Sequence, residues 1–171
     1  MADITTTPRH GILGEHMRAE RQQLIEMLTN AYWMEIETVM SYIANSINPD
    51  GVRAQEIIES LEEDIQEELG HARQFGERIK ELYGVVPGSL DFHAEQSYLQ
   101  PPDEQTDIVH VIKGVIEAES GAIEHYNQII AFCEGRDPVT QDMVIDILRD
   151  EEGHRRLFEG FLREYKIEGL A

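Results

Sequence analysis

The sequence has a single cysteine and few basic residues, and both scarcities exclude classes of function. Cys133 is alone among 171 residues, so an internal disulfide, a Cys-x-x-Cys redox pair and a cysteine-built zinc or iron–sulfur site are excluded. Only 14 lysines and arginines stand against 34 acidic residues, which gives a formal net charge of −20. A field of that sign repels phosphate backbones and anionic membrane surfaces, so we expect no nucleic-acid partner and no membrane partner.

Long apolar runs are also missing. No stretch of about 18 apolar residues occurs that would span a membrane. The first ten residues have neither the basic start nor the apolar core of a signal peptide, so we expect a cytoplasmic protein. A hydrophobic content of 41% over 171 residues is enough for one domain with a sizeable core.

Apolar residues recur at helical spacing in four long stretches, and no stretch competes with a β-strand pattern. The first predicted helix covers about residues 15–48 and ends at a Pro-Asp-Gly turn. The second covers about 52–83, with Gly84 as its C-terminal cap. The third ends before Gly135, and the fourth begins at Asp137-Pro138, an N-cap followed by proline at the first helical position.

The connection between the second and third helices is long. Between residues 85 and about 106 the helical periodicity disappears and prolines and glycines cluster, which a crossover along the bundle would explain. Helices of roughly 30 residues far exceed the usual mean and can bury their faces only against each other. The sequence therefore predicts an all-α four-helix bundle over residues 15–167, with a long crossover between helices 2 and 3, an N-terminal extension (1–14) and a C-terminal tail (168–171).

Polar residues recur in the same register in the two predicted helical hairpins. With 24 glutamates and 7 histidines, random placement yields about one Glu-x-x-His pair, so one such pair would be weak evidence. This chain has two, each matched to a glutamate that stands seven residues before a tyrosine. The matched residues are Glu35 with Glu119 and Tyr42 with Tyr126, at a shift of 84, and Glu68 with Glu151 and His71 with His154, at a shift of 83.

The four matched glutamates lie on the apolar stripes of their helices. Glu35, for example, stands four residues after Ala31, and Glu68 lies between Ile65 and Ala72. Buried carboxylates need compensating charge, which two divalent cations would supply. A histidine three residues after a glutamate shares its helix face and adds a nitrogen ligand. Oxygen-rich ligation with imidazole and no thiolate favours iron or manganese over a structural zinc site.

These residues resemble the ferritin-like superfamily, and within it the bacterioferritin and Dps-like branch, over about residues 15–165. Residues 147–154, Ile-Leu-Arg-Asp-Glu-Glu-Gly-His, are similar to the fourth helix of a bacterioferritin. The resemblance implies a di-iron centre inside one subunit, bridged by Glu68 and Glu151. It also implies that Glu35 with His71 completes one iron site, that Glu119 with His154 completes the other, and that Tyr42 and Tyr126 hydrogen-bond the carboxylates. Both tyrosines fit equally well as plain core aromatics.

Departures from the family patterns shape further expectations. Leu69 stands where haem-binding bacterioferritins carry the methionine that ligates haem, so we expect no haem. Only residues 155–171 follow His154, too few for the short fifth helix of 24-subunit shells, so we favour a homo-oligomeric shell of twelve subunits over twenty-four. The interface ligand set of a typical Dps and the basic tail that Dps proteins use on DNA are both missing.

The resemblance implies a ferroxidase that oxidises Fe(II) with O2 or H2O2, for iron storage or for detoxification under oxidative stress. Two iron ions per subunit are expected, with Mn or Zn as possible substitutes. A rubrerythrin-like peroxidase or a di-iron oxygenase with the same ligands stays open, although the absence of rubredoxin-type cysteines disfavours a self-contained rubrerythrin.

Several other side chains could also be taken for ligands or functional groups. Four glutamates adjoin them and would become ligands after a shift in register; otherwise we expect them on the solvated face. These are Glu37, Glu67, Glu117 and Glu152. His125 has no matched acidic partner and is predicted to be a surface or structural histidine, and Cys133 is predicted to be a small buried hydrophobe.

Overall fold

Four long α-helices make up most of the computed structural model, which describes residues 11–171. They are α1 (Arg18–Ile47), α2 (Gln55–Glu81), α3 (Ile108–Cys133) and α4 (Pro138–Ile167). Short 3-10 helices precede α1 (Gly11–Leu13 and Glu15–Met17) and interrupt the α2–α3 connection (Ser89–Asp91 and Ser97–Leu99). Most of the expected N-terminal extension, residues 1–10, lies outside the described residues.

The helices pair as two hairpins, α1 with α2 and α3 with α4, and the described residues contain no strand, so the predicted four-helix bundle is confirmed. Two apolar clusters fill the bundle, one towards each end. The first includes Leu28, Phe75 and Ile129, and the second includes Leu61 and Phe158. Burying each such side chain contributes about 1.5–3 kcal/mol relative to exposure. Between residues 11 and 171, no helix combines the length and hydrophobicity needed to cross a membrane.

The end of α2 differs from the prediction in the residue that turns the chain. Tyr83, and not Gly84, adopts the left-handed conformation, with φ of 68°. The Gly84 N–H donates to the Ile79 carbonyl at 2.9 Å, which closes the helix end. Gly84 is required for space, because a Cβ there would lie 2.8 Å from Ile79 Cγ2. Glycine adopts the left-handed conformation without strain, so a sequence pattern assigns that position to glycine by default.

The α2–α3 connection runs along the bundle as predicted. At its far end, the Asp50 N–H beyond α1 donates to the Gln105 carbonyl at 3.0 Å. Midway, the Glu37 carboxylate accepts the backbone N–H of Glu95 at 2.8 and 3.0 Å and that of Gln96 at 2.7 Å. The expectation that Glu37 is a ligand or a solvated residue is therefore wrong. It is buried because the crossover covers this face of α1, and it anchors the crossover there.

The start of α4 is determined by Asp137, as predicted. Its carboxylate accepts the backbone N–H of Val139 at 3.2 Å and of Thr140 at 3.3 Å. Both of its oxygens also accept from Arg78 Nη2 of α2, at 3.0 and 2.9 Å. Because Asp137 and Arg78 are both buried, this charge-assisted contact ties the two hairpins together at one end of the bundle.

Replacing Asp137 by alanine is expected to lower the free energy of unfolding by about 3 kcal/mol, because a helix cap is lost and Arg78 stays buried without its partner. Urea denaturation of the metal-free protein followed by circular dichroism measures this change. Asp142→Ala, at an exposed position of the same helix, is the matched control and should be near neutral. Equal effects in the two variants would contradict the proposed role of the pair.

Candidate metal centre

Six side chains from all four helices meet midway along the bundle, between the two apolar clusters. They are the residues predicted as ligands: Glu35 from α1, Glu68 and His71 from α2, Glu119 from α3, and Glu151 and His154 from α4. All are buried, from 1% exposed for Glu68 to 8% for His154. They converge because each lies on the inward stripe of its helix.

The six side chains form two groups of four that share Glu68 and Glu151. One group adds Glu35 and His71, and the other adds Glu119 and His154. Within each group, one ligand atom per residue lies within 4.8 Å of all the others. Each group thus offers three carboxylates and one imidazole, a donor set that suits Fe(II) or Mn(II).

Both imidazoles turn their Nδ1 atom towards the carboxylates. His71 Nδ1 lies 3.1 Å from Glu151 Oε1, and each Nδ1 lies 3.4 Å from an oxygen of Glu68. Neither Nδ1 makes a hydrogen bond, nor does either oxygen of Glu68 or Oε1 of Glu151. Buried polar atoms without partners are unfavourable in a core, so these unbonded atoms fit a site built to hold cations.

The other ring nitrogen of each histidine contacts an acidic residue that was not predicted to hold a ring. His71 Nε2 lies 3.2 Å from Asp150 Oδ2, and His154 Nε2 lies 2.8 Å from Glu67 Oε2. An Nε2–H donated outward leaves Nδ1 as the lone-pair donor on the inner side. A signal was present in the repeat, because Glu67 and Asp150 are also related by a shift of 83.

Two tyrosines connect the hairpins across the centre. The Tyr42 hydroxyl donates to Glu119, and the Tyr126 hydroxyl donates to Glu35. Burial, reinforced by nearby carboxylates, raises the pKa of both hydroxyls well above the usual value, so they remain donors. These hydrogen bonds fit the role that the resemblance implies for the two tyrosines, and Tyr126 also packs on Phe75 with ring centroids 5.3 Å apart.

The carboxyl groups of the centre differ in how tightly they hold protons. Burial, and then the neighbouring carboxylates, raise the pKa of Glu35 and Glu119 well above the usual value and that of Glu151 to about 8. Glu68 is the exception: burial acts to raise its pKa, but the neighbouring Glu35 carboxyl and the two imidazole rings, whose Nδ1 atoms each lie 3.4 Å from a Glu68 oxygen, hold it below its usual range.

The two histidines of the metal-free centre hold protons more tightly than usual. Burial acts to lower the pKa of each ring, but the carboxylates around it, Glu68 foremost, outweigh burial. The pKa of His71 is therefore raised, and that of His154 rises to about 10. Protons thus supply the positive charge that bound cations would supply.

Four other side chains discussed for their chemistry, His125, Cys133, Glu117 and Glu152, are not part of this centre. His125 is half-buried and its Nε2 lies 2.9 Å from the Met27 carbonyl, which is a structural contact. Cys133 is buried, and burial raises the pKa of its thiol to about 12, so it stays protonated. Glu117 and Glu152 are exposed.

A four-helix bundle with a long α2–α3 crossover and a buried set of four glutamates and two histidines defines the class of ferritin-like helical bundles. The comparison with family sequences agrees. The chain belongs to the Ferritin family, described as a ferritin-like domain, which it matches over residues 25–167.

The relatives found by sequence comparison include a Dps and a bacterioferritin, the two kinds of protein that the predicted branch contains. A DNA protection during starvation protein (Dps) of Pyrococcus furiosus is 30% identical over 155 residues, which covers 88% of this chain and 82% of that protein. The bacterioferritin of Desulfovibrio desulfuricans is 26% identical over 140 residues, which covers 81% of this chain and 74% of that protein. The predicted resemblance is confirmed.

Solved structures share the fold. A dodecameric thioferritin, the bacterioferritin-related protein from Bacteroides fragilis, superposes with a TM-score of 0.77 at 25% identity and covers 87% of this chain and 89% of that chain. A Desulfovibrio desulfuricans bacterioferritin superposes with a TM-score of 0.74 at 23% identity, and the match covers 87% of this chain and 83% of that chain. That structure shows the di-iron site of the bacterioferritin in different catalytic states.

Proposed function

We propose that the protein is a ferroxidase that oxidises Fe(II) with O2 or H2O2 at the six-residue centre, for iron storage and detoxification in the cytoplasm. The observation that carries the proposal is the pair of ligand groups that share Glu68 and Glu151, with both Nδ1 atoms unbonded beside them. Four carboxylates balance the charge of two Fe(II) ions, which makes their burial tolerable. The Desulfovibrio bacterioferritin, whose structure has a di-iron site, supports the same chemistry here.

Each residue of the centre would have a distinct task. Glu68 and Glu151 would bridge two irons, Glu35 and His71 would complete one position, and Glu119 and His154 would complete the other. Bound iron supplies one electron per ion to the oxidant. The carboxylates favour Fe(III) as hard oxygen ligands, and the apolar clusters on either side exclude water.

Proton movements accompany metal loading. The carboxyl groups of Glu35 and Glu119 hold protons in the metal-free protein and release them when they become ligands. Asp150 and Glu67 accept the Nε2–H of the two rings and so keep Nδ1 available to metal. The tyrosine hydroxyls hold Glu35 and Glu119 in place as they change protonation.

We further propose that twelve copies assemble into a shell, because storage needs a cavity that one bundle lacks. The Bacteroides fragilis relative is dodecameric. An apolar stripe on α1, formed by Met40, Ile43 and Ile47, is exposed in the single chain and is available for self-association.

Metal analysis, Fe(II) oxidation and gel filtration of the purified protein test the proposal together. We expect two Fe(II) bound per chain, rapid oxidation with O2 or H2O2, a dodecameric elution volume and no haem absorbance. A protein that holds only zinc or manganese and does not accelerate Fe(II) oxidation would refute the ferroxidase role. A monomer or dimer that turns over peroxide or an organic substrate with an external reductant would instead favour a rubrerythrin-like peroxidase or a di-iron oxygenase.

A further inference from the structure

A small cavity lies against the candidate metal centre, on the side away from its histidines. Its lining includes all four glutamates of the centre but neither His71 nor His154. The cavity measures about 10 Å³, which is about the room that one water-sized molecule needs. Thr38 of α1 and Gln96 of the crossover also line it, together with mostly apolar side chains of α1 and α3.

Thr38 breaks the symmetry of the internal repeat. It lies three residues after Glu35, on the inward stripe of α1, and is only 6% exposed. At the shift of 84 that relates the ligands of α1 and α3, the matching residue is Ala122, which also lines the cavity. The two halves of the centre therefore have the same ligands, but only the Glu35 half has a hydroxyl beside them. A buried hydroxyl needs a hydrogen-bond partner that a methyl group does not.

Gln96 is the partner of this hydroxyl. Its side chain is buried, and its Nε2 donates to Thr38 Oγ1 at 2.9 Å and to the Met34 carbonyl at 3.3 Å. A hydroxyl that accepts a hydrogen bond still has its own proton to donate. Gln96 Oε1 lies 3.3 Å from Thr38 Oγ1, which is longer than the usual range of about 2.5–3.0 Å, so that proton is only weakly held.

The crossover does not need the Thr38–Gln96 contact as an anchor. The adjacent carboxylate of Glu37 already accepts the backbone N–H groups of two crossover residues. In addition, Trp33 packs on Phe92 of the crossover, with ring centroids 5.3 Å apart. The segment is therefore held without the side chain of Gln96, which is free to serve the cavity.

We propose that Thr38 binds the oxidant of the centre, and that Gln96 is the positioning residue that holds Thr38 in place. The Thr38 hydroxyl donates a hydrogen bond to one oxygen of O2 or H2O2, an oxidant with two linked oxygen atoms, inside the cavity. Because Ala122 replaces the hydroxyl on the other side, the donor acts from one side only. The inference rests on the proposed function, but binding in the cavity can be measured without turnover.

Stopped-flow Fe(II) oxidation at varied O2 concentration, and separately at varied H2O2 concentration, tests the hydrogen bond. Thr38→Val removes the hydroxyl and keeps the branched shape. We expect the oxidant concentration that gives half of the maximal rate to rise about tenfold with at least one oxidant, while Fe(II) binding is unchanged. Thr38→Ser keeps the hydroxyl and should stay within about twofold of the wild type. Equal values for the two variants with both oxidants would overturn the inference.

Thr29→Val is the matched control, because the Thr29 hydroxyl donates to the Ile25 carbonyl of its own helix and does not line the cavity. It should leave the dependence on oxidant unchanged. Gln96→Leu should reproduce part of the effect of Thr38→Val and should add nothing to it in the double variant, since Gln96 acts through Thr38. Additive effects of the two substitutions would refute the positioning role of Gln96.

Nitric oxide binding to the Fe(II)-loaded protein, measured by visible absorption without oxygen, tests the cavity without turnover. We expect Thr38→Val to weaken this binding by about fivefold and Thr38→Ser to preserve it. Equal affinity in these variants and the wild type would overturn the inference. The proposed function is judged separately. Binding that depends on Thr38 in a protein that does not oxidise Fe(II) would refute the ferroxidase alone, and normal oxidation that is indifferent to Thr38 would refute the oxidant contact alone.

Discussion

Replacing Glu68 by glutamine is expected to slow Fe(II) oxidation by more than about a hundredfold, beyond the 10–100-fold typical of residues that only support a metal ligand. The reason is that Glu68 belongs to both ligand groups, so one neutral amide weakens both metal positions. Stopped-flow absorbance of Fe(III) formation, with metal content measured on the same samples, gives the rate and the stoichiometry. We expect fewer than two Fe(II) bound per chain.

The matched variants separate loss of a ligand from loss of structure. Glu62→Gln, at an exposed position of α2, should oxidise Fe(II) like the wild type. Glu35→Gln should impair one metal position yet leave the metal-free protein stable, because burial raises the pKa of the Glu35 carboxyl and so favours its neutral form there. Glu68→Gln should also destabilise the metal-free protein, since Glu68 is the anion between the two histidines. Oxidation at the wild-type rate in both Glu68→Gln and His154→Ala would refute the ligand assignment.

The thermal midpoint of the metal-free protein is expected to fall as the pH rises from about 5 to 10. Glu35, Glu119 and Glu151 have folded-state pKa values above 4.5, so their stabilising protons are present below that pH. They are lost as the pH rises, near 8 for Glu151. His154 acts in the same sense between 6.5 and about 10. Stability falls with pH wherever the folded state binds more protons than the unfolded state.

Bound metal should reverse this trend. Cations replace the protons of the centre, so metal affinity rises with pH. When the free metal concentration is a thousandfold above Kd, binding stabilises the folded protein by about 4 kcal/mol. For a chain of this length, this corresponds to a rise in Tm of roughly 10 °C. Scanning calorimetry with Mn(II) or EDTA at pH 6 and pH 8 should show the larger rise at pH 8. Glu68→Gln is the control and should show little rise, and a wild-type rise that is equal at both pH values would contradict the exchange of protons for metal.

Much of the fold follows from the sequence because helical periodicity and turn residues are local properties. The Asp137-Pro138 start of α4 and the crossover between α2 and α3 were predictable in this way. The end of α2 was predictable only approximately, because packing against Ile79 makes Gly84 necessary while Tyr83 takes the left-handed conformation. Tertiary contacts at that end override the usual preference for glycine.

By itself, the sequence determined which residues turn inward at the middle of the bundle, since the repeated register places four glutamates and two histidines on apolar stripes. Only the tertiary structure decided the neighbours of those residues. It pairs each tyrosine with a glutamate of the opposite hairpin and places Glu67 and Asp150 against the histidine rings. It also buries Glu37 under the crossover and places Asp64 beside His154. The physical reason is that periodicity defines the face of a helix on which a side chain lies, whereas contacts between helices depend on how those faces rotate and slide against each other when the core packs.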